Sequence, residues 1–368
     1  MQTVKVTYPH MGNMYIALQA LMNGLQLEFI TPPPISKRTL ELGVKYSPEY
    51  VCMPMKINLG NFIEALEMGA DTIVMGGGWG PCRFGYYAQI ERDILQELGY
   101  DFQMIVLEAS DSKTKSLFKQ LQSLGQNVSL RQALQSIKFA WDKMTAVEQV
   151  EKGLEYYLPR TNKPDEAERV YEQGLKEIIA AANGRQSMQI ARQTVQKMQK
   201  LESNSQEPLV IGLVGEVYTV LEPAANYEIT KVLGRLGAEV RRTIYMTDWI
   251  NDHLLGGHVK ASTRRQVLKC ARPYLNYWVG GHGQETIGTT VAMARQGCDG
   301  IIQIGPLTCM PEIVAQTILP LVSEKEGIPC MTLWFDELTG TAGVQTRLEA
   351  FIDMVSRRKY IAGKVEEA

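Results

Sequence analysis

The chain has 368 residues, 21% of them charged, and a formal net charge of −2. That length allows two or three domains with cores of their own, and the near-neutral balance gives no basic footprint for nucleic acid. The opening "MQTVKVTYPH" puts Lys5 and Pro9 where a secretory signal needs an unbroken apolar stretch, and no run approaches the ~18 apolar residues of a membrane span, so a cytoplasmic protein with no membrane partner is expected. In that compartment the six cysteines are thiols or ligands of a soft metal rather than disulfides.

In chain order, the first stretch alternates short apolar runs with amphipathic ones. "TVKVTYP", "QLEFITP", "EYVCMP", "DTIVMGG" and "FQMIVLEA" read as strands, most of them ending in Gly or Pro. Between Asp111 and Gln206 the texture changes: there is no cysteine, and the glycines are Gly125, Gly153, Gly174 and Gly184. Here "SLFKQLQSLG", "LRQALQSIKFAWDKM" and "AERVYEQGLKEIIAAA" carry apolar residues at helical spacing, broken at "LPRTNKPD". The strand-helix alternation resumes with "PLVIGLVG", "AEVRRTIYM", "DGIIQIGP" and "IPCMTLWFD". This rhythm predicts two open α/β domains with mainly parallel sheets, Rossmann or flavodoxin-like, over residues 1–110 and 207–368, joined by a helical insert over 111–206.

Cys-Met-Pro occurs twice, at Cys52 in "YVCMPMK" and at Cys309 in "PLTCMPE", each where a strand-like run meets a helix-like one. Cys82, in "GGGWGPCRFGYY", follows the strand "DTIVMGG". Ligands of open α/β sheets gather at the carboxyl ends of strands, so the three thiols are expected to converge if the two domains face one another across a cleft. Cys298 and Cys330 fall at the opposite sheet edge and read as core residues. Cys270 reads as a helix-face residue whose helix runs into the glycine-rich "VGGHGQETIG". Structural zinc wants four ligands, usually with C-x-x-C pairs, and no such pair exists. A thiol nucleophile would use one cysteine, with His10 or His282 as base, and leave two unexplained. An iron–sulfur cubane takes soft thiolates, and three of them leave one iron open. Gly76, Gly77, Gly78 and Gly80 would let backbone N–H groups approach sulfur, while Pro54, Pro81 and Pro311 stiffen the turns. Spacing alone leaves these chemistries side by side.

The segments "EYVCMPMK" and "MGGGWGPCRFGYYAQIERDIL", with "GGHGQETIGTTVAMARQGCDGIIQIGPLTCMPEIVAQTILPLV" and "IPCMTLWFDELTGTAGVQTRLEAFIDM", resemble the acyl-CoA dehydratase activase-related proteins, relatives of the 2-hydroxyacyl-CoA dehydratase subunits. The resemblance covers most of both α/β stretches and is weak over the helical one. It implies a [4Fe-4S] cluster held by Cys52, Cys82 and Cys309 between two α/β domains. Some relatives carry a double-cubane [8Fe-9S] cluster instead. It further implies electrons from a separate ATP-hydrolysing iron–sulfur activase, a small-molecule substrate of the acyl-CoA type, and a related subunit or second copy of the chain as partner. The chain has no G-x-x-x-x-G-K-[ST] loop, which assigns ATP hydrolysis to the activase.

Within "GGHGQET", His282 and Glu285 are the candidate acid and base for eliminating water from a bound thioester. The plainer reading is a strand-to-helix turn with Glu285 capping the next helix. Glu312 stands at an expected helix N-terminus, where the dipole favours a carboxylate whatever its role. Arg83 offers its charge to an anionic ligand or cluster, or to a surface ion pair. Trp79, Tyr86 and Tyr87 line a cavity or simply pack, and Asp336 and Glu337 end a strand and cap the last helix. Two functions fit this set. One is a redox enzyme performing dehydration or another low-potential reduction; the other is a non-catalytic iron–sulfur electron carrier or cluster scaffold. An open iron serves the first and adds nothing to the second. A cluster-free cysteine hydrolase is a third reading.

Overall fold

The computed structural model describes residues 4–78, 80–107, 128–203, 207–255, 257 and 259–366. The chain divides into two compact units. The first gathers Met1–Thr145, Ala181–Met188 and Met246–Ala261, and the second Ala146–Ala180, Gln189–Tyr245 and Ser262–Ala368. In the first, strands β1 (Lys5–Thr7), β2 (Glu28–Phe29), β3 (Thr72–Gly76) and β4 (Gln103–Leu107) form a parallel sheet in the order β2-β1-β3-β4. In the second, β5 (Leu209–Gly215), β6 (Ala238–Arg242), β7 (Gly300–Pro306) and β8 (Cys330–Phe335) pair in parallel in the order β6-β5-β7-β8. These are the two open parallel α/β sheets that the sequence predicts. Their strands read as continuous apolar runs because central parallel strands are covered on both faces; every residue of β7 is buried.

One sequence expectation needs correcting. "EYVCMP" is not a strand: residues 48–52 form a turn, and Cys52 is the N-cap of the helix Met53–Glu67. Pro48 and Pro54 bracket the run, and the backbone N–H of Val51 bonds back to Pro48 O to close a turn. The helical stretch is divided between the two units. Its helices Leu130–Tyr157, Pro164–Ala180 and Gly184–Gln199 are shared between the units, and the division falls inside the first of them. Residues 108–127, with the expected helix "SLFKQLQSLG", lie outside the described residues. Among the described residues no helix is long and apolar enough to cross a membrane.

The two units repeat one another in detail beyond strand order. In the first, the residue before β3 is Asp71, whose Oδ1 accepts the backbone N–H of Lys5 at 2.9 Å; in the second, the residue before β7 is Asp299, whose Oδ2 accepts the N–H of Val210 at 2.8 Å. Two residues earlier stand Gly69 and Gly297, both at positive φ, where the preceding helix turns into the strand. The helices before the third strands, Met53–Glu67 and Gly283–Arg295, each press a glycine against a neighbouring helix. A Cβ on Gly60 would lie 2.0 Å from Thr39 O, and one on Gly288 would lie 2.1 Å from Val267 O. All these pairs share one sequence offset, so the match runs ungapped from the first helix of each pair to the third strand.

Polar groups inside the units are handled unequally. In the second, Arg242 at the end of β6 donates to Glu155 Oε1 at 2.6 Å and Glu151 Oε2 at 2.7 Å, and the Tyr245 hydroxyl donates to Glu155 Oε2. This fixes the later half of helix Leu130–Tyr157 to that unit's sheet. In the first, Glu91 on helix Tyr87–Glu97 is fully buried, and neither carboxylate oxygen has a hydrogen-bond partner among the described residues. Burial pushes its carboxyl up to about 8.

Alanine at Gly60 or Gly288 should lower stability by about 1–3 kcal/mol, because the added methyl meets a backbone carbonyl that cannot rotate away. Alanine at Gly340, where an added Cβ meets nothing within 4 Å, should be close to neutral in the same urea unfolding series. The Glu91 contribution has a definite sign. The folded state holds its proton more tightly than the unfolded one, so stability is fully present below the unfolded carboxylate range and is lost as pH rises through about 8. Glu91→Gln should therefore flatten the fall in thermal midpoint between mildly acidic and mildly alkaline buffer.

Candidate functional site

The residues singled out by the sequence share one structural role. Cys52 is the N-cap of helix Met53–Glu67, Cys82 of the 3-10 turn Arg83–Tyr86, Cys309 of helix Met310–Glu326 and His282 of helix Gly283–Arg295. Pro54 and Pro311 occupy first-turn positions, where a missing N–H costs no intrahelical bond. None of the four side chains caps its own helix.

In the first unit Cys52 is buried, and Arg83 Nη2 donates to its sulfur at 3.0 Å, while Nη1 donates to Tyr50 O at 2.6 Å. Arg83 thereby fastens the turn that begins at Cys82 to the loop that ends at Cys52.

In the second unit Cys309 is also buried, at the carboxyl end of β7, and the residue before it, Thr308, takes a left-handed φ of 71°. A β-branched residue in that region is strained, and such strain persists only where the surroundings hold it. A Cβ on Gly283 would lie 2.4 Å from Pro311 O, so the helix begun by His282 starts directly against the one begun by Cys309. Glu285, the expected partner of His282, has Oε1 held by Arg264 Nε at 3.0 Å and Nη2 at 2.8 Å; its Oε2 has no hydrogen-bond partner among the described residues.

Glu312 is fully buried, accepting from Thr286 Oγ1 at 3.0 Å and from Gln303 Nε2 at 2.9 Å. Burial pushes its carboxyl up to about 8, with the charges of Glu216 and Glu285 adding to the rise. Desolvation thus outweighs the helix dipole that the sequence reading relied on. Glu216, which follows β5 and accepts from the N–H groups of Tyr218 and Thr219, is raised by burial as well. Sequence reasoning missed Gln303, Thr286, Glu216 and Arg264. The one signal for this network was Gln303, a lone polar residue inside "DGIIQIGP"; nothing in the spacing of Arg264 and Glu285 announces their pairing.

The remaining candidates settle into plainer roles. Cys298 packs with Val214, Met293, Ile301 and Ile328, and Cys330 opens β8; burial pushes both thiols up to about 11. Cys270 is partly buried against Ala271, Leu275 and Ile287. Tyr87 is a core residue stacked edge-on with Phe84, Tyr86 is exposed, and Trp79 lies outside the described residues. Asp336 closes the "DELTG" turn by accepting from Thr339 Oγ1 and Leu338 N–H. His10 follows β1 and stacks on Tyr15.

The donor chemistry suits an iron–sulfur group: buried cysteines at helix starts, one of them under a guanidinium. Cys52 and Cys82 belong to the first unit and Cys309 to the second. Among the described residues no three His, Cys, Asp or Glu side chains gather around one point as ligands of a single ion. A cubane spreads its ligands over four irons and makes no such demand. No protein-family model and no curated protein matches this chain.

Proposed function

We propose that the chain is a cytoplasmic iron–sulfur protein of the 2-hydroxyacyl-CoA dehydratase type, in which Cys52, Cys82 and Cys309 hold a cubane that receives electrons from an ATP-hydrolysing iron–sulfur activase. The observation that carries this reading is the Arg83 guanidinium 3.0 Å from Cys52 Sγ. A guanidinium donor beside a buried sulfur is a fitting place for a cluster ligand, because its charge would offset that of the metal-bound sulfur. When bound, the cluster supplies low-potential electrons one at a time and, at its corner without a thiolate, a Lewis-acidic iron. The chain's own residues position and protonate. Arg83 offsets thiolate charge, the strained turn at Thr308 holds Cys309 in place, and Arg264 fixes Glu285 on the first turn of the helix that His282 begins. The His282 ring then gives or takes the proton that accompanies loss of a hydroxyl from a small acyl thioester.

Protein purified without oxygen should be brown, with about four irons per chain for a single cubane or about eight for the double-cubane form. Serine at Cys52, Cys82 or Cys309 should deplete the iron, whereas Cys298→Ala and Cys330→Ala should leave it. Full iron after loss of any one of the first three removes the assignment.

Thiolate ligation makes the cluster electron-rich, so a further electron is costly to add in a low-dielectric site. A mild donor should therefore reduce the protein only with activase and ATP present. Complete reduction by that donor alone, followed by the visible spectrum, counts against gated electron delivery.

A further inference from the structure

We propose that the exposed face of helix Arg264–Ala271, with Tyr277 and Trp278 beyond its end, binds the phosphates and base of a multiply phosphorylated adenine nucleotide. Under the thioester chemistry proposed above, on which this inference rests, that nucleotide is the 3′-phospho-ADP end of coenzyme A. All of these residues belong to the second unit. The sequence has no aspartate or glutamate between Asp252 and Glu285, yet it has Lys260, Arg264, Arg265, Lys269 and Arg272. In a chain of net charge −2 this is a local concentration of one sign. Two of the five are already engaged, Lys260 with Asp248 at 2.5 Å and Arg264 with Glu285 at 2.8 Å. Arg265, Lys269 and Arg272 are exposed, and among the described residues their side chains have no ion-pair or hydrogen-bond partner. They stand at i, i+4 and i+7, which places them on one stripe of the helix about 10 Å long.

The first unit supplies the comparison. The offset that matches Gly60 to Gly288 and Asp71 to Asp299 also matches Lys37 to Arg265 and Glu41 to Lys269. Lys37 and Glu41 form an i,i+4 ion pair at 3.5 Å, and the neighbouring Arg38 pairs with Glu67. In the second unit a lysine stands in place of that acid, so like charges lie one turn apart, which opposes the helix. Arg265 also sits in the first turn, where the macrodipole disfavours a cation. Helix formation therefore does not account for the stripe, whereas phosphate groups do. Three cations on two turns match one small polyanion; a standard protein interface engages about 20–30 residues a side. The base has its own place. Tyr277 is 68% exposed and Trp278 38% exposed, and exposed aromatic faces stack on purines. A turn in which the N–H groups of Tyr274 and Leu275 bond to Ala271 O brings the chain round from the helix to these rings. They immediately precede the glycine-rich turn of His282, with Val279 packed at Gly283, so the thioester arm leads from the stripe toward the proposed reaction site.

The test is binding, read without turnover. Full-length protein purified without oxygen is titrated calorimetrically with coenzyme A, 3′-dephospho-coenzyme A, ATP and inorganic tripolyphosphate at low and moderate salt. Coenzyme A should bind, roughly tenfold more weakly without its 3′-phosphate, and its affinity should fall as salt rises. Lys269→Glu recreates the ion pair of the first unit, so it should keep the thermal midpoint while weakening coenzyme A roughly tenfold or more. Arg192→Glu, a change of the same sign on the exposed face of helix Gly184–Gln199, should leave binding unaltered. Tyr277→Ala should weaken coenzyme A and leave tripolyphosphate unaffected. ATP bound as tightly as coenzyme A would give the surface to a free nucleotide and overturn the coenzyme assignment. Iron-replete wild type that does not bind coenzyme A, or binding that survives both Lys269→Glu and Arg272→Glu, overturns the inference and leaves the iron–sulfur reading intact. Coenzyme A bound by protein that holds no iron overturns that reading and leaves the surface assigned.

Discussion

A helix can come within backbone contact of its neighbour only where a side chain is missing, and in both units a glycine meets that condition. Gly60 lies against the carbonyl of Thr39, Gly43 against that of Lys56, and Gly288 against that of Val267. With this spacing set, helix Met53–Glu67 sinks until all but Glu64 and Glu67 are buried. Its start is then fixed relative to the sheet, and so is Cys52. The same holds for the helix begun by His282. Aspartate at the strand entrance completes the registration, because one carboxylate oxygen and one backbone N–H tie the third strand to the first. The placement of candidate ligands thus depends on packing laid down several turns away from them.

The interior chemistry of the two units contrasts in how charge is neutralised. Arg242 and its two glutamates are buried together, each carboxylate meeting a cation or hydroxyl. Among the described residues Glu312 and Glu91 have no cation bonded to them, and burial favours their protonated forms. For Glu312 the helix N-terminus works in the other direction, yet a dipole is worth about 0.3–1 kcal/mol and removing a carboxylate from water costs several times more. Hydrogen bonds from Thr286 and Gln303 reduce that cost without reversing it.

Much of the fold is legible because buried parallel strands leave a plain mark: "VIGLVG", "DGIIQIG" and "DTIVMGG" are dominated by apolar residues and end in glycine. The same rule misled at "EYVCMP", where four apolar residues between two prolines lie in a turn and deliver the chain to a helix. Tyr50 in that run is 76% exposed, which no central strand would permit. The cysteines were legible as turn residues, but their shared N-cap role was not, since a cap is recognised by residue type and these are of the wrong type. Arg83 on Cys52 spans 31 positions and Arg264 on Glu285 spans 21, and no periodicity encodes such pairs. The internal repeat was hidden for another reason: few identical residues carry it, and the matching atoms are largely backbone.

Each unit is assembled from separated pieces of the chain, with Met246–Ala261 returning to the unit that begins at Met1. This has a bearing on biosynthesis. A ribosome making the protein releases the first sheet early, yet that unit lacks its final piece until residue 261 has cleared the exit tunnel. Most of the chain must therefore emerge before either half is whole, and a nascent chain stalled between the two sheets holds incomplete surface that holdase chaperones recognise.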